Sequence, residues 1–164
     1  MDLPARYEED VYAWALHQAE VLRRMKAVGT ALPNDLDLDN VAEEIECLGN
    51  EQLFQVESNL EQALLHLIKM ATQPDSDAYT HWAIETLSFL GTAIRRYRPS
   101  MRRALDLQAL WTSLRRQLRR RAKLGGETAP PLPEVMPFTL DELLDEDADP
   151  RALAVRLADL LHAP

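Results

Sequence analysis

Residues 37–49, DLDNVAEEIECLG, hold five carboxylates and the chain's single cysteine, just ahead of a long apolar run. Glu43, Glu44 and Glu46 are of a type that ligates metals or serves as acid and base, so their angular placement is the first test. On a 3.6-residue helix they spread over about 160° and cannot converge on one substrate atom. Asp37, Asp39, Glu43 and Glu44 sit where the helix dipole favours negative charge, at ~0.3–1 kcal/mol each. These acids are therefore expected to be structural, with Glu44 or Glu46 pairing with arginines of the fourth helix. The histidines are His17, His66, His81 and His162. No glutamate precedes any of them by three residues, as a di-iron carboxylate bundle requires. Glu44 and His66 lie roughly 33 Å apart along one helix and cannot share an ion. His66 is expected to be a hydrogen-bonded core histidine, and neither a metal nor a cofactor is expected.

A second constellation is the row His81, Glu85, Ser88 and Thr92, which falls on one helix face. It contains the residue types of a catalytic triad, but His81 and Ser88 are separated by about 10 Å along the axis. That exceeds a direct nucleophile–base hydrogen bond, so a solvated face is expected. Phosphate-binding glycine loops, G-x-S-x-G and H-E-x-x-H are all absent. No catalytic residue is assigned, and an enzyme of unknown type ranks third among the functional readings.

The remaining candidate is charge. The chain has 164 residues and a net charge of −9, but the charge is segregated. Residues 1–91 carry −12, residues 92–126 carry +10 and residues 127–164 carry −7. The basic block contains RRYRPSMRR and LRRQLRRRAK. A helix with Arg115, Arg116, Arg119 and Arg120 opposite a Leu/Trp row could lie on phosphates and read charge rather than sequence. Against this stand the overall negative charge, which opposes approach to nucleic acid, and a lone nearby aromatic, Tyr97, for base stacking. The reading preferred here is that these arginines offset the acidic second helix and the DELLDEDAD segment. One cysteine permits no internal disulfide or Cys-cluster zinc site. Nothing reads as a secretion signal or a membrane span, so a cytoplasmic location without membrane contact is expected.

Helical periodicity runs through nearly every segment. A first helix is predicted over 6–27, with Tyr7, Val11, Trp14, Ala15, Gln18, Val21, Leu22 and Met25 on one face. A second is predicted over 40–72, entered by a capping box of Asn40 and Glu43. Its main stripe is Val41, Ile45, Leu48, Val56, Ala63, Leu67 and Met70, and its C-terminal half is apolar nearly all round. A second stripe, Cys47, Phe54, Leu65 and Ile68, must meet either the C-terminal arm or another subunit. Gly49 costs roughly 1 kcal/mol in mid-helix unless it marks a kink. A third helix over 78–97 has the apolar row Ile84, Leu87, Gly91 and Ile94. A fourth over 99–124 has the row Leu107, Leu110, Trp111, Leu114 and Leu118, closed by Gly125-Gly126. ETAPPLPEVMP, with four prolines in eleven residues, predicts an extended arm. FTLDELLDEDADP predicts a short capped helix, and residues 151–164 a final amphipathic one. The expected fold is all-α: an up-down four-helix bundle over 1–126, with a Pro-rich C-terminal arm and short helices over 127–164 packing on it in one domain.

The segments YEEDVYAWALHQAEVLR, LDLDNVAEEIECLGNEQ, LLHLIKMATQP and MPFTLDELLDEDADP occur in that order. Together, over residues 6–150, they resemble the bacterial "domain of unknown function 29" family, and Glu43, Glu44 and Glu46 fall in its clearest signature. The resemblance implies a compact, all-helical bacterial protein and carries no activity or catalytic residues. Asn50, Met70 and the final helix depart from the family's pattern. The functional expectation is a non-enzymatic module that contacts another protein or itself through Cys47, Phe54, Leu65, Ile68 and the arginine row. The alternative is a regulatory nucleic-acid binder using the fourth helix.

Overall fold

The computed structural model describes residues 6–162 except 30 and 32, and these are all-α: six α-helices and one 3-10 helix, with no strand among the described residues. They form two compact units, one from Met1–Gln55 and Tyr97–Leu105, the other from Val56–Arg96 and Asp106–Pro164.

In the first unit, α1 (Val11–Ala27) starts five residues later than its periodicity predicts. Asp10 is the reason: its carboxylate accepts from the Ala13 amide at 2.9 Å and ends the preceding turn. The other Asp10 oxygen accepts from the Ser100 hydroxyl at 2.7 Å, and Arg98 Nε donates to the Glu9 carbonyl at 3.0 Å. These bonds tie the head of α1 to the 3-10 helix Pro99–Arg103. The predicted fourth helix therefore splits, because Asp106 takes a non-helical cap conformation and restarts the chain as a separate helix.

α2 (Leu38–Thr72) runs unbroken through Gly49, so that glycine is no kink. Its cap is Asp37, whose carboxylate accepts from the Asn40 amide at 3.3 Å, in place of the expected Asn40–Glu43 box. Antiparallel to α1, it approaches closely: a Cβ at Gly49 would lie 3.0 Å from the Ala15 Cβ and 3.3 Å from the Tyr12 carbonyl oxygen. The buried line of α1 is accordingly Tyr12, Ala15 and Ala19, facing Ala42 and Gly49. Val11, Trp14, Leu22 and Met25 are displaced to half-buried flanks. Val41 and Leu48, expected in the core, are exposed for the same reason, since the smallest side chains occupy the line of closest approach.

The second unit is built on the rest of α2. Val56, Leu60, Ala63, Leu64, Leu67, Ile68, Met70 and Ala71 are all buried, as a helix apolar nearly all round requires. Around it lie α3 (Tyr79–Arg96), α4 (Leu107–Gly125), α5 (Leu140–Leu143) and α6 (Pro150–Leu161), with α3 in contact with α6. Gly126 closes α4 in the left-handed conformation at φ 68°, and Glu127 N–H donates back to the Ala122 carbonyl at 2.9 Å.

Between α4 and α5 the Pro-rich arm has few backbone bonds of its own, as extended polyproline segments do. α4 supplies the donors. Trp111 Nε1 donates to the Pro133 carbonyl at 2.9 Å and Gln108 Nε2 to the Glu134 carbonyl at 3.0 Å. Gln108 Oε1 in turn accepts from the Met136 amide at 2.8 Å. Further on, Thr139 and Glu142 form a capping box for α5. Arg156 of α6 pairs with Glu142, donates to the Pro137 carbonyl at 3.0 Å and lies over the buried Phe138 ring. The Arg156 guanidinium, with the Thr139 amide, holds the Glu142 carboxyl at about 2.

Candidate functional site

The opening acids are placed structurally. Glu46 pairs with Arg23, and Asp39 pairs with Lys26. Both partners belong to α1 and not to α4, because α1 is the helix that runs antiparallel beside this part of α2. Glu43 and Glu44 are exposed. Among the described residues, no three histidine, cysteine, aspartate or glutamate side chains stand close enough together to hold a metal.

The histidines of α2 and α3 do meet. His66 is buried, its Nδ1 is 3.0 Å from the Gln62 carbonyl oxygen, and its Nε2 is 3.0 Å from Glu85 Oε2. His81 reaches the other Glu85 oxygen at 3.5 Å. With Nδ1–H donating to this carbonyl, Nε2 carries a proton towards Glu85 only when the ring is the imidazolium. The Phe89 ring stacks on the imidazole with centroids 5.5 Å apart. Burial pushes His66 below the ordinary histidine range and the Lys69 ammonium adds to this, while the Gln62 carbonyl and the Glu85 carboxylate oppose it. Sequence periodicity puts Glu85 in a polar row with Ser88. The structure turns Glu85 towards His66 and leaves the hydroxyls bonded to their own helix, Ser88 to the Ile84 carbonyl and Thr92 to the Ser88 carbonyl. Neither hydroxyl bonds to the His66–Glu85 pair, which ties α2 to α3.

A pH dependence follows from this tie. Since the folded value lies below the unfolded one, the unfolded chain takes up the proton first as pH falls. Stability contributed by neutral His66 is full above the ordinary range near 6.5 and declines below it, at no more than ~1.4 kcal/mol per pH unit, until the folded value is reached. Urea unfolding between pH 5.5 and 7.5 should show this decline, and His66→Gln should flatten it. Equal slopes in the two proteins would show that the loss originates elsewhere.

The predicted contact residues separate. Cys47 and Phe54 are exposed, Phe54 at 62%. Leu65 is half-buried, and Ile68 is core at 3%. The lower part of the second stripe is therefore covered by the chain's own residues: Leu65 and Ile68 line a cleft with Leu118 and Ala122 of α4 and Pro130 of the arm. Arg116, Arg119 and Arg120 are exposed and form no ion pair with any described residue. Of the acids expected opposite them, Glu46 pairs with Arg23 and Glu142 with Arg156.

One surface is absent from the sequence reading. The first half of the apolar row of α3 is turned outward, with Ile84 58% and Leu87 51% exposed, while Gly91 and Ile94 are half-buried. Its place is taken by Ala83, Thr86, Leu90 and Ala93, which are all buried. Thr86 can sit there because its hydroxyl donates to the Trp82 carbonyl at 2.8 Å. The available signal was the width of the α3 apolar arc, which exceeds one buried stripe.

No helix among the described residues is long and apolar enough to cross a membrane. No curated protein matches the chain. A solved structure, an alpha-helical protein of unknown function from Rhodospirillum rubrum, is 28% identical with a TM-score of 0.80 over 93% of this chain and 98% of that one. The family described as "Domain of unknown function DUF29" matches residues 6–148, and the chain belongs to that family.

Proposed function

We propose that the protein is a non-enzymatic helical module that works by contact with another chain, and that its first partner is a second copy of itself. The observation that supports this reading is the exposed pair Ile84 and Leu87 on α3, continued by the half-buried Gly91 and Ile94. Ile84 and Leu87 cost solvation where they stand, and large apolar side chains grouped on one helix face mark interaction sites. The row is also self-complementary. In an antiparallel pair of α3 helices centred near position 89, Ile84 would oppose Ile94 and Leu87 would oppose Gly91. A Cβ at Gly91 would meet only the Arg95 guanidinium, at 3.5 Å, so the notch is bounded by the end of a flexible side chain.

Light scattering across a concentration series tests this. The wild type is expected to self-associate. Ile84→Asp with Leu87→Asp is expected to be monomeric and to melt within about 1 kcal/mol of the wild type, since exposed substitutions perturb folding little. A wild type that remains monomeric at all concentrations would sink the proposal.

A second reading rests on the unpaired arginines of α4: Arg116, Arg119 and Arg120 give a cationic face for a phosphate backbone. A gel shift with bulk DNA or RNA that weakens steeply with salt, and that is lost in Arg116→Ser/Arg119→Ser/Arg120→Ser, would support it. No shift at low salt rejects it.

A further inference from the structure

Where α4 meets the Pro-rich arm there is a cleft of about 170 Å³ lined by Arg115, Leu118, Arg119 and residues 129–132. Two guanidiniums border it and no carboxylate does. Neither arginine forms an ion pair with a described residue. Arg115 is positioned rather than free: its Nη1 donates to the Glu134 carbonyl at 3.4 Å. Its Nε, however, is buried and finds no acceptor among the described residues. A buried donor without a partner is a cost that folds rarely carry. Here it belongs to a cation whose planar fork suits oxyanions. Arg116, Arg120 and Lys123 on the same helix add positive potential around the cleft without lining it. The volume is more than ten times the ~10–15 Å³ that one water requires, enough for a phosphate group and too small for a folded segment.

We infer that this cleft is a binding site for a small phosphate-bearing ligand, gripped by Arg115 and Arg119 against the wall of Pro130 and Pro131. Phosphate fits better than carboxylate because two separate guanidiniums can each take oxygens of one dianion. The inference does not rest on self-association through α3; with the cationic outer face of α4 it shares Arg119 but neither Arg116 nor Arg120.

The test is calorimetric titration of the full chain with inorganic phosphate at low ionic strength. Saturable binding at one site per chain is expected. Arg119→Gln, at an exposed position that should leave the fold intact, should weaken it at least about tenfold, as loss of a charge-assisted hydrogen bond does. Arg115→Lys, which keeps the charge but removes the planar fork, should weaken it to a similar degree. Arg120→Gln should bind within about twofold of the wild type, because a rim charge acts only through the screened field. Equal weakening by Arg120→Gln would mean diffuse charge attraction and overturn the site. So would acetate binding as tightly as phosphate, or the absence of saturation. An oligonucleotide that binds Arg115→Lys normally but fails on Arg116→Ser/Arg120→Ser would identify the outer face as a separate polyanion surface and leave the phosphate cleft standing.

Discussion

Replacing Trp111 with alanine should lower the unfolding free energy by about 3–5 kcal/mol, the cost of deleting a fully buried aromatic. Trp111 has no exposed surface and does two jobs at once. Its ring fills the core of the second unit, and its Nε1–H satisfies the Pro133 carbonyl of the arm. The arm has few other bonds, so the loss should be uneven. Amide exchange should rise most across residues 128–138, before the core of α2 responds. Trp111→Phe separates the two contributions. It keeps most of the apolar volume and deletes the donor, so about 1–3 kcal/mol should go with the stranded carbonyl. Urea midpoints for the two variants, with exchange rates along the arm, check this. If both variants lose the same energy, the hydrogen bond accounts for most of the loss. If neither opens the arm, then Gln108 and Arg156 hold it unaided.

Gly49→Leu should destabilise by about 2 kcal/mol, although leucine is a better helix former by nearly 1 kcal/mol. Two effects compete here. Propensity favours almost any side chain at a mid-helix glycine. Packing forbids one, because even a Cβ would stand 3.0 Å from the Ala15 Cβ and 3.3 Å from the Tyr12 carbonyl oxygen. Both neighbours belong to the helical body of α1 and cannot yield separately, so a larger side chain must move the whole helix. The Arg23–Glu46 and Lys26–Asp39 pairs bridge the same two helices but are solvent-exposed, and such pairs are too weak to resist. Gly49→Ala should lose less, because one methyl needs only a few tenths of an ångström and recovers the propensity. A higher urea midpoint for Gly49→Leu would show that the approach of α1 and α2 is not limiting.

Much of the fold can be read from local chemistry. Gly126 ends α4, Thr139 and Glu142 cap α5, and proline and aspartate open α6 where turn and cap residues stand in the sequence. These features are local because a cap or a left-handed turn is satisfied within a few residues. The all-α class follows from the same periodicity. Asp10, Asp37 and Asp106 are cap-type residues too, yet periodicity places each of these helix starts elsewhere. Before α1 and α4, helix-forming side chains run on ahead of the aspartate that sets the true start. Ahead of α2, Asn40 is a competing cap of the same chemistry.

What could not be read was which arc of each helix faces inward. Periodicity locates an apolar arc, but the deepest line within it depends on how closely the neighbouring helix approaches. At α1 and α2 that line runs through Ala15, Ala19, Ala42 and Gly49, and the larger side chains move outward. On α3 it runs through Ala83, Thr86, Leu90 and Ala93, which exposes Ile84 and Leu87. Pairing partners were equally hidden. Glu46 takes Arg23 and Glu85 takes His66 because helices far apart in sequence are brought side by side, and no spacing within one helix encodes that. The DLDNVAEEIECLG segment shows both halves of the matter. Its composition and angular spread already excluded a converging catalytic cluster, whereas the identity of the cations it holds depends on α1 lying antiparallel beside it.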